Sequence, residues 1–278
     1  MAEITADLVK KLRDATNVSM MECKRALVEA NGDLETATRI LRERGMAVAA
    51  KKASRTTNQG LVASAASADG ATVSLVQVNC ETDFVARNAS FQAFVAEMAV
   101  KATTGDEALG ESLKDLLIAK IAEIGENIVI SRNTRFTLQG KGRIQPYIHL
   151  GGKVGVLVEV ACEKDATVAD AVFAELIKDL SLHIAACSPR YLTSKDVPAA
   201  EVAAEREIYA KQVEDKPAQI IEKIVDGKMK KFYADTCLVD QPFVKEPKQS
   251  ITELLAEKGK QLGDTLSIRR FVRYQLGQ

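Results

Sequence analysis

The side chain best suited to moving protons near neutral pH is scarce in this sequence. There are only two histidines, His149 and His183, and histidine is the commonest general base near neutral pH. His183 stands four residues before Cys187, a spacing that would set both on one helix face and let the imidazole activate the thiol. No third group that would orient the histidine is evident, and simple packing of a histidine beside a buried thiol satisfies the same spacing. The acidic pairs Glu81/Asp83 and Glu163/Asp165 have the types needed for acid–base work or cation binding. They recur at matching places in two related segments, so a shared turn or capping role is the simpler account.

The phosphate-binding and nucleophile loops are absent. Neither GxxxxGK[ST], nor GxGxxG, nor GxSxG occurs, and Gly151-Gly152-Lys153 reads as a hairpin turn. The five cysteines, Cys23, Cys80, Cys162, Cys187 and Cys237, are scattered without metal-ligand spacing. Buried, reduced thiols of a cytoplasmic protein are expected, with no cofactor, no metal and no covalent chemistry. Lys+Arg and Asp+Glu both number 38, and this balance argues against a grip on nucleic acid through phosphates. Trp is absent and aromatics make up 5%, which argues against stacking platforms for single-stranded bases. No apolar run approaches the roughly 18 residues of a membrane span, and MAEITADLVKK has no apolar core of a secretory signal.

The elements that would position any site can be read from periodicity. Three short helices are expected over residues 1–46. The first starts at Thr5 with Leu8, Val9 and Leu12 on one face. The second, from Ser19, carries Met20, Cys23, Ala26 and Leu27. The third starts at Asp33 with Leu34, Ala37, Ile40 and Leu41 and ends at Gly45. Residues 47–59 read as a linker, helical at its start. An amphipathic helix is expected over 106–124, a strand over 127–139, two helices over 198–212 and 217–235, a helix over 251–258 and a strand over 266–272.

An internal repeat organises the middle of the chain. Residues 60–99 align without a gap on 142–181 at an offset of 82, with LVQVNCETD over LVEVACEKD and Phe91 over Phe173. Each copy reads as strand, Gly-containing turn, strand and helix, so two related α+β subdomains are expected. The copies diverge after their shared acidic residue: Asp83-Phe84-Val85 faces Asp165-Ala166-Thr167. Phe84 either packs into its own subdomain or has a task that its sister position lacks.

Met20-Met21-x-Cys-Lys24-x-Ala-Leu, EANGD, Thr82-Asp-Phe-Val-Ala-Arg-Asn88, Ile124-Gly125-Glu-Asn127, Gly227-Lys-Met-Lys-Lys-Phe232 and Gln241-Pro-Phe243 occur in this order. With them the chain resembles bacterial translation elongation factor Ts over nearly its whole length. The resemblance implies an α+β protein with a UBA-like three-helix bundle and linker over 1–54. It implies a core N-subdomain over 55–141, a core C-subdomain over 142–196 and 236–278, and a helical-hairpin dimerisation domain over 197–235. It also implies guanine-nucleotide exchange on the GTPase elongation factor Tu in the cytoplasm, without direct nucleic-acid or membrane contact. The partner-binding residues it implies are Thr82, Asp83, Phe84 and Val85, with Met20, Met21, Lys24, Ile124, Gly125 and His149. Some family members continue beyond the equivalent of Phe271–Gln278 into another helical module that also touches the GTPase, and the expectation for this sequence is a smaller interface or one rearranged elsewhere. Two other readings compete: a dimeric scaffold using the 198–235 hairpin, and an enzyme using Cys187 with His183.

Overall fold

A computed structural model describes residues 4–16, 18–104, 109–214 and 216–278. The chain begins with α1 (Ala6–Thr16), α2 (Met20–Glu29) and α3 (Leu34–Lys52). The hairpin β1 (Gln59–Ala66) and β2 (Thr72–Cys80) leads into the single turn α4 (Asp83–Ala86) and the longer α5 (Ala89–Ala102). Then come α6 (Leu109–Ser112), α7 (Lys114–Ile124) and β3 (Val129–Thr137). The order restarts with β4 (Gly142–His149), β5 (Val154–Ala161), α8 (Asp165–Val168) and α9 (Ala171–Cys187). A helical hairpin, α10 (Ala199–Lys211) and α11 (Ala218–Thr236), precedes a small ribbon of β6 (Pro242–Phe243) and β7 (Glu246–Ser250). Last come α12 (Ile251–Leu262) and β8 (Ser267–Gln275), so the chain is of mixed α+β class.

Side-chain caps set the first helices. Thr5 Oγ1 accepts from Leu8 N at 3.3 Å, Ser19 Oγ from Glu22 N at 3.4 Å and Asp33 Oδ1 from Thr36 N at 2.7 Å. Val9, Leu12, Cys23, Ala26, Leu27, Ala37 and Leu41 make their common core. Met20, expected in that stripe, lies outside it. The third helix does not end at Gly45 but runs on to Lys52. Gly45 lies buried where α3 packs on α7, and a Cβ there would stand in ordinary contact, 3.5 Å, with Ala122 Cβ and Ile118 Cγ2. The helix expected over 106–124 is divided. Residues 106–108 lie outside the described residues, and the remainder breaks at Leu113 (φ −109°, ψ 18°). Just before the break, Ser112 Oγ donates to Leu109 O at 3.2 Å, a local side-chain bond of the kind that competes with a continuous helix.

The repeat governs the rest. The sheets are ordered β1-β2-β3 and β4-β5-β8, both antiparallel. Their ladders slip at matching places, between Gln77 and Val78 and between Glu159 and Val160. After the central helix of each copy the offset rises from 82 to 138, matching Gly125 with Gly263 and β3 with β8. The difference, 138 less 82, is 56 residues inserted into the second copy, and α10, α11 and the ribbon occupy that insertion.

Each sheet buries one face under its own helices, with Val76, Val78, Phe91 and Val95 in the first copy and Val158, Val160, Phe173 and Ile177 in the second. The other faces meet across Val62, Leu75, Phe136, Ile144, Leu157 and Tyr274. Reciprocal arginines fasten this seam. The Arg132 guanidinium lies 4.6 Å from the Tyr274 ring centre and donates to Gln275 O at 2.9 Å. Its counterpart Arg270 lies 4.2 Å from the Phe136 ring centre and donates to Thr137 O at 2.8 Å.

Glycine is required where each repeat's first strand enters its ladder. Gly60 and Gly142 have φ of 144° and 145°, and a Cβ on either would collide with a carbonyl oxygen of the neighbouring strand, Val78 or Val160. Gly60→Ala and Gly142→Ala are each expected to cost more than about 2 kcal/mol of unfolding free energy. Urea denaturation measures this, and a change within about 0.5 kcal/mol, the level of a neutral surface substitution, would contradict the steric account.

Candidate functional site

The segment after β2 is built from two helix caps. Thr82 Oγ1 accepts from Val85 N at 3.3 Å and starts α4, and Asn88 Oδ1 accepts from Ser90 N at 2.8 Å and starts α5. Between these caps the chain makes one helical turn, with Ala86 buried and Val85 half-buried against the first subdomain's core. Phe84 points the other way and is 82% exposed. Packing of Phe84 into its own subdomain is therefore excluded. Asp83, beside it, pairs with Arg87 at 3.0 Å on the surface.

A polar node holds this turn from behind. Glu126 Oε2 accepts from the backbone N–H of Glu81 and of Thr82, both at 3.0 Å, while its Oε1 accepts from Thr82 Oγ1 at 2.6 Å. In return, Asn127 N donates to Glu81 Oε1 at 2.6 Å, and this bond, with Arg55 nearby, holds the Glu81 carboxyl below its ordinary pKa. Asn127 Nδ2 donates to Arg55 O at 2.9 Å, and Lys52, in the last turn of α3, donates to the Gly125 carbonyl. Gly125 caps α7 with φ of 82°. Burial, and then the Glu126 charge, push the Cys80 thiol up to about 12, so this cysteine stays an inert thiol at neutral pH.

The sister turn uses the same device with different side chains. Asp264 Oδ1 accepts from Glu163 N at 3.1 Å, and Oδ2 accepts from Lys164 N at 3.0 Å and from Thr167 Oγ1 at 2.5 Å. The Thr167 hydroxyl, followed by the backbone donors, brings the Asp264 carboxyl down to about 2. Lys164 gives α8 no side-chain cap, and Ala166 stands where the first copy has Phe84. The acidic pairs Glu81/Asp83 and Glu163/Asp165 hold turn positions, as the repeat suggested. Glu81 Oε1, however, accepts from Asn127 N, while the corresponding Glu163 meets the node through its own backbone N–H.

The remaining expected site residues fall into three places. Ile124, half-buried on the first core, and Gly125 join Thr82, Asp83, Phe84 and Val85 through the node. Met20, Met21 and Lys24 are on the outer face of α2, where the methionines are 44% and 60% exposed and take no part in the bundle core. His149 ends β4 on the other sheet, its ring stacked at 22° on Tyr147 and its Nδ1 3.0 Å from the Tyr147 hydroxyl. Leu150, next to it, stands exposed at the hairpin tip with φ of 50°. No hydrogen bond among the described residues joins His149 or α2 to the Phe84 turn.

Sequence reasoning missed Glu126, Lys52 and Arg55 as supports of the turn. A carboxylate directly after the left-handed glycine in both copies, Gly125-Glu126 and Gly263-Asp264, was the available signal. It was hidden because the offset changes from 82 to 138 before that point.

The chain belongs to the elongation factor Ts family. The family model described as "Elongation factor TS" matches residues 81–278. The elongation factor Ts of Nitratidesulfovibrio vulgaris is 43% identical over 277 residues, covering 99% of this chain and 96% of that protein. Those of Clostridium perfringens and Nitratiruptor are also 43% identical, each match covering 99% of this chain and 93% of the relative. Among the described residues, no helix is long and apolar enough to cross a membrane.

The cysteine-enzyme reading finds no support in the geometry. His183 is fully buried, with Nε2 2.9 Å from Gln241 Oε1. Its Nδ1 accepts from Val244 N at 3.2 Å, which leaves Nε2 as the protonated nitrogen that donates to Gln241. Cys187 Sγ is 3.6 Å from Nδ1, and burial raises its pKa rather than favouring a thiolate. Burial also lowers the pKa of His183 from 6.5. As pH falls below 6.5, the unfolded chain binds the proton first, so stability declines through the window between 6.5 and the lower folded value. Denaturant midpoints at pH 7.5 and 5.5 are expected to separate more for the parent chain than for His183→Gln. Equal separations would show that the buried ring does not contribute.

Proposed function

We propose that the chain is a guanine-nucleotide exchange factor for elongation factor Tu in translation, and that the Asp83–Phe84 turn enters the GTPase domain near its Mg²⁺ and phosphate site. The observation that carries this reading is the exposed Phe84 on a turn held by the Glu126 node. Covering such a side chain releases about 1.5–3 kcal/mol, which becomes available only when a partner supplies the pocket.

The thermodynamics limits how such a wedge acts. A P-loop GTPase holds its nucleotide through phosphate-loop N–H groups, a lysine and Mg²⁺. Displacing the elements that support those groups raises the free energy of the nucleotide-bound state, while Phe84 burial lowers that of the empty state. Only this differential affinity shifts the equilibrium, and by linkage a nucleotide must in turn weaken the hold on the exchanger. No group of this chain acts on a covalent bond.

The other contacts follow from the same reading. Met20, Met21 and Lys24 offer a second apolar and basic face, Ile124 and Gly125 flank the wedge, and His149 with Leu150 offers a third contact from the other sheet. The α10–α11 hairpin, with Ile208 and Ile220 exposed, is the homodimer surface of this reading.

Release of a fluorescent GDP analogue from elongation factor Tu tests the function. The parent chain is expected to accelerate release, and Phe84→Ala to lose at least about tenfold of that acceleration with its unfolding midpoint unchanged. No acceleration by the parent chain would overturn the exchange reading, and equal acceleration by both would overturn the wedge.

A further inference from the structure

We propose that Glu126 is the positioning residue of the wedge, fixing the backbone at Glu81 and Thr82 so that Phe84 is presented in one orientation. This rests on the exchange reading of the Phe84 turn and adds a residue outside the contact surface that sets its performance. Both Glu126 oxygens are committed, to two backbone N–H groups and to the Thr82 hydroxyl. Thr82 is also the side-chain cap of α4. One carboxylate therefore orients the hydroxyl that starts the turn and the two peptide units that lead into it. Phe84 is the second residue of that turn, and no packing of its own holds it.

The repeat separates what the fold needs from what the wedge needs. Asp264 makes the same two backbone contacts in the second copy, so a carboxylate after the left-handed glycine is a feature the two turns share rather than one peculiar to the wedge. Its third donor is Thr167, inside α8, and the residue before that turn, Lys164, does not cap it. In the first copy the third donor is the cap itself. Glutamate, one methylene longer than aspartate, makes all three contacts there, in the copy whose turn carries an exposed phenylalanine at its second residue. Asn127 closes the node by donating from its backbone to Glu81 Oε1, and Lys52 fixes the Gly125 carbonyl from α3. With the turn held in this way, insertion of Phe84 incurs less ordering entropy on binding.

The test uses the full chain and the same nucleotide-release measurement, with Glu126→Gln, Asp264→Asn, Phe84→Ala and the double variant Phe84→Ala/Glu126→Gln. Glu126→Gln is expected to slow stimulated release about tenfold, because an amide cannot accept from three donors with both of its heavy atoms. Amide hydrogen exchange at Glu81 and Thr82 should quicken, while the strands keep their protection. Asp264→Asn should retain the parent release rate. In the Phe84→Ala background, Glu126→Gln should change the rate less than twofold, because a positioning residue acts only through the side chain it positions. A parent rate for Glu126→Gln overturns the proposal. So does an equal slowing by Glu126→Gln with and without Phe84, the mark of a general structural effect. A parent rate for Phe84→Ala alone removes the wedge and this role with it. A slow Phe84→Ala beside a fast Glu126→Gln removes only the role.

Discussion

The seam between the two sheets is the constraint on which the remaining structure depends. Each three-stranded sheet here has helices on only one face, while its other face is also apolar and has to be buried. The opposite faces must cover each other. At this seam Glu159 is fully buried, and taking a carboxylate out of water costs several kcal/mol unless it is paired and hydrogen-bonded. Arg270 meets it at 2.7 Å, Arg269 at 3.5 Å, and the Gln139 N–H donates to it at 3.0 Å. Arg270 thus has one edge on Glu159 and its face on Phe136 of the other sheet. The first copy solves the same problem without a buried carboxylate, by pairing Arg132 with Gln77.

A frame fixed by that seam can carry different turns on its two copies. The sister turns share an acidic first residue, a supporting carboxylate and a lysine on the glycine carbonyl, Lys52 on Gly125 and Lys164 on Gly263. They differ at Phe84 and Ala166 and at Thr82 and Lys164. The first turn has an exposed aromatic ring behind a complete cap, whereas the second has a methyl group and no side-chain cap. The burial forgone by leaving Phe84 in water, about 1.5–3 kcal/mol, is small enough to be offset by the surrounding core.

The N-terminal bundle is tied to the same node rather than hung on a loose linker. Its third helix packs on α7 around the buried Gly45, pairs Arg42 with Asp115 at 2.6 Å and ends at Lys52 on the Gly125 carbonyl. The exposed ion pair contributes little by itself, so the packing of α3 on α7 and the Asn127 side chain, which donates to Ala53 O and Arg55 O just after α3, set the orientation. As a result, the face that carries Met20, Met21 and Lys24 stands in a defined relation to the Phe84 turn without touching it.

Much of this was legible in the sequence because it is local. The caps at Thr5, Ser19 and Asp33, the strand alternation and the repeat at an offset of 82 follow from spacing alone, and the family resemblance rests on contiguous strings such as TDFVARN. Gly45 could not be read this way, since a glycine that ends a helix and one that lies inside it look alike until α7, with Ile118 and Ala122, is placed against that face. The fate of Phe84 was likewise open, because the same aromatic residue fits a core or a surface. Spacing and contiguous strings alone thus placed most of the elements, their duplication and the family, though not the run of α3 past Gly45 or the break at Leu113. Only the tertiary structure decided that residues 52–55, 81–82 and 124–127 converge, because hydrogen bonds between segments so far apart in the chain depend on the packing of α3, α7 and β2 rather than on any local pattern.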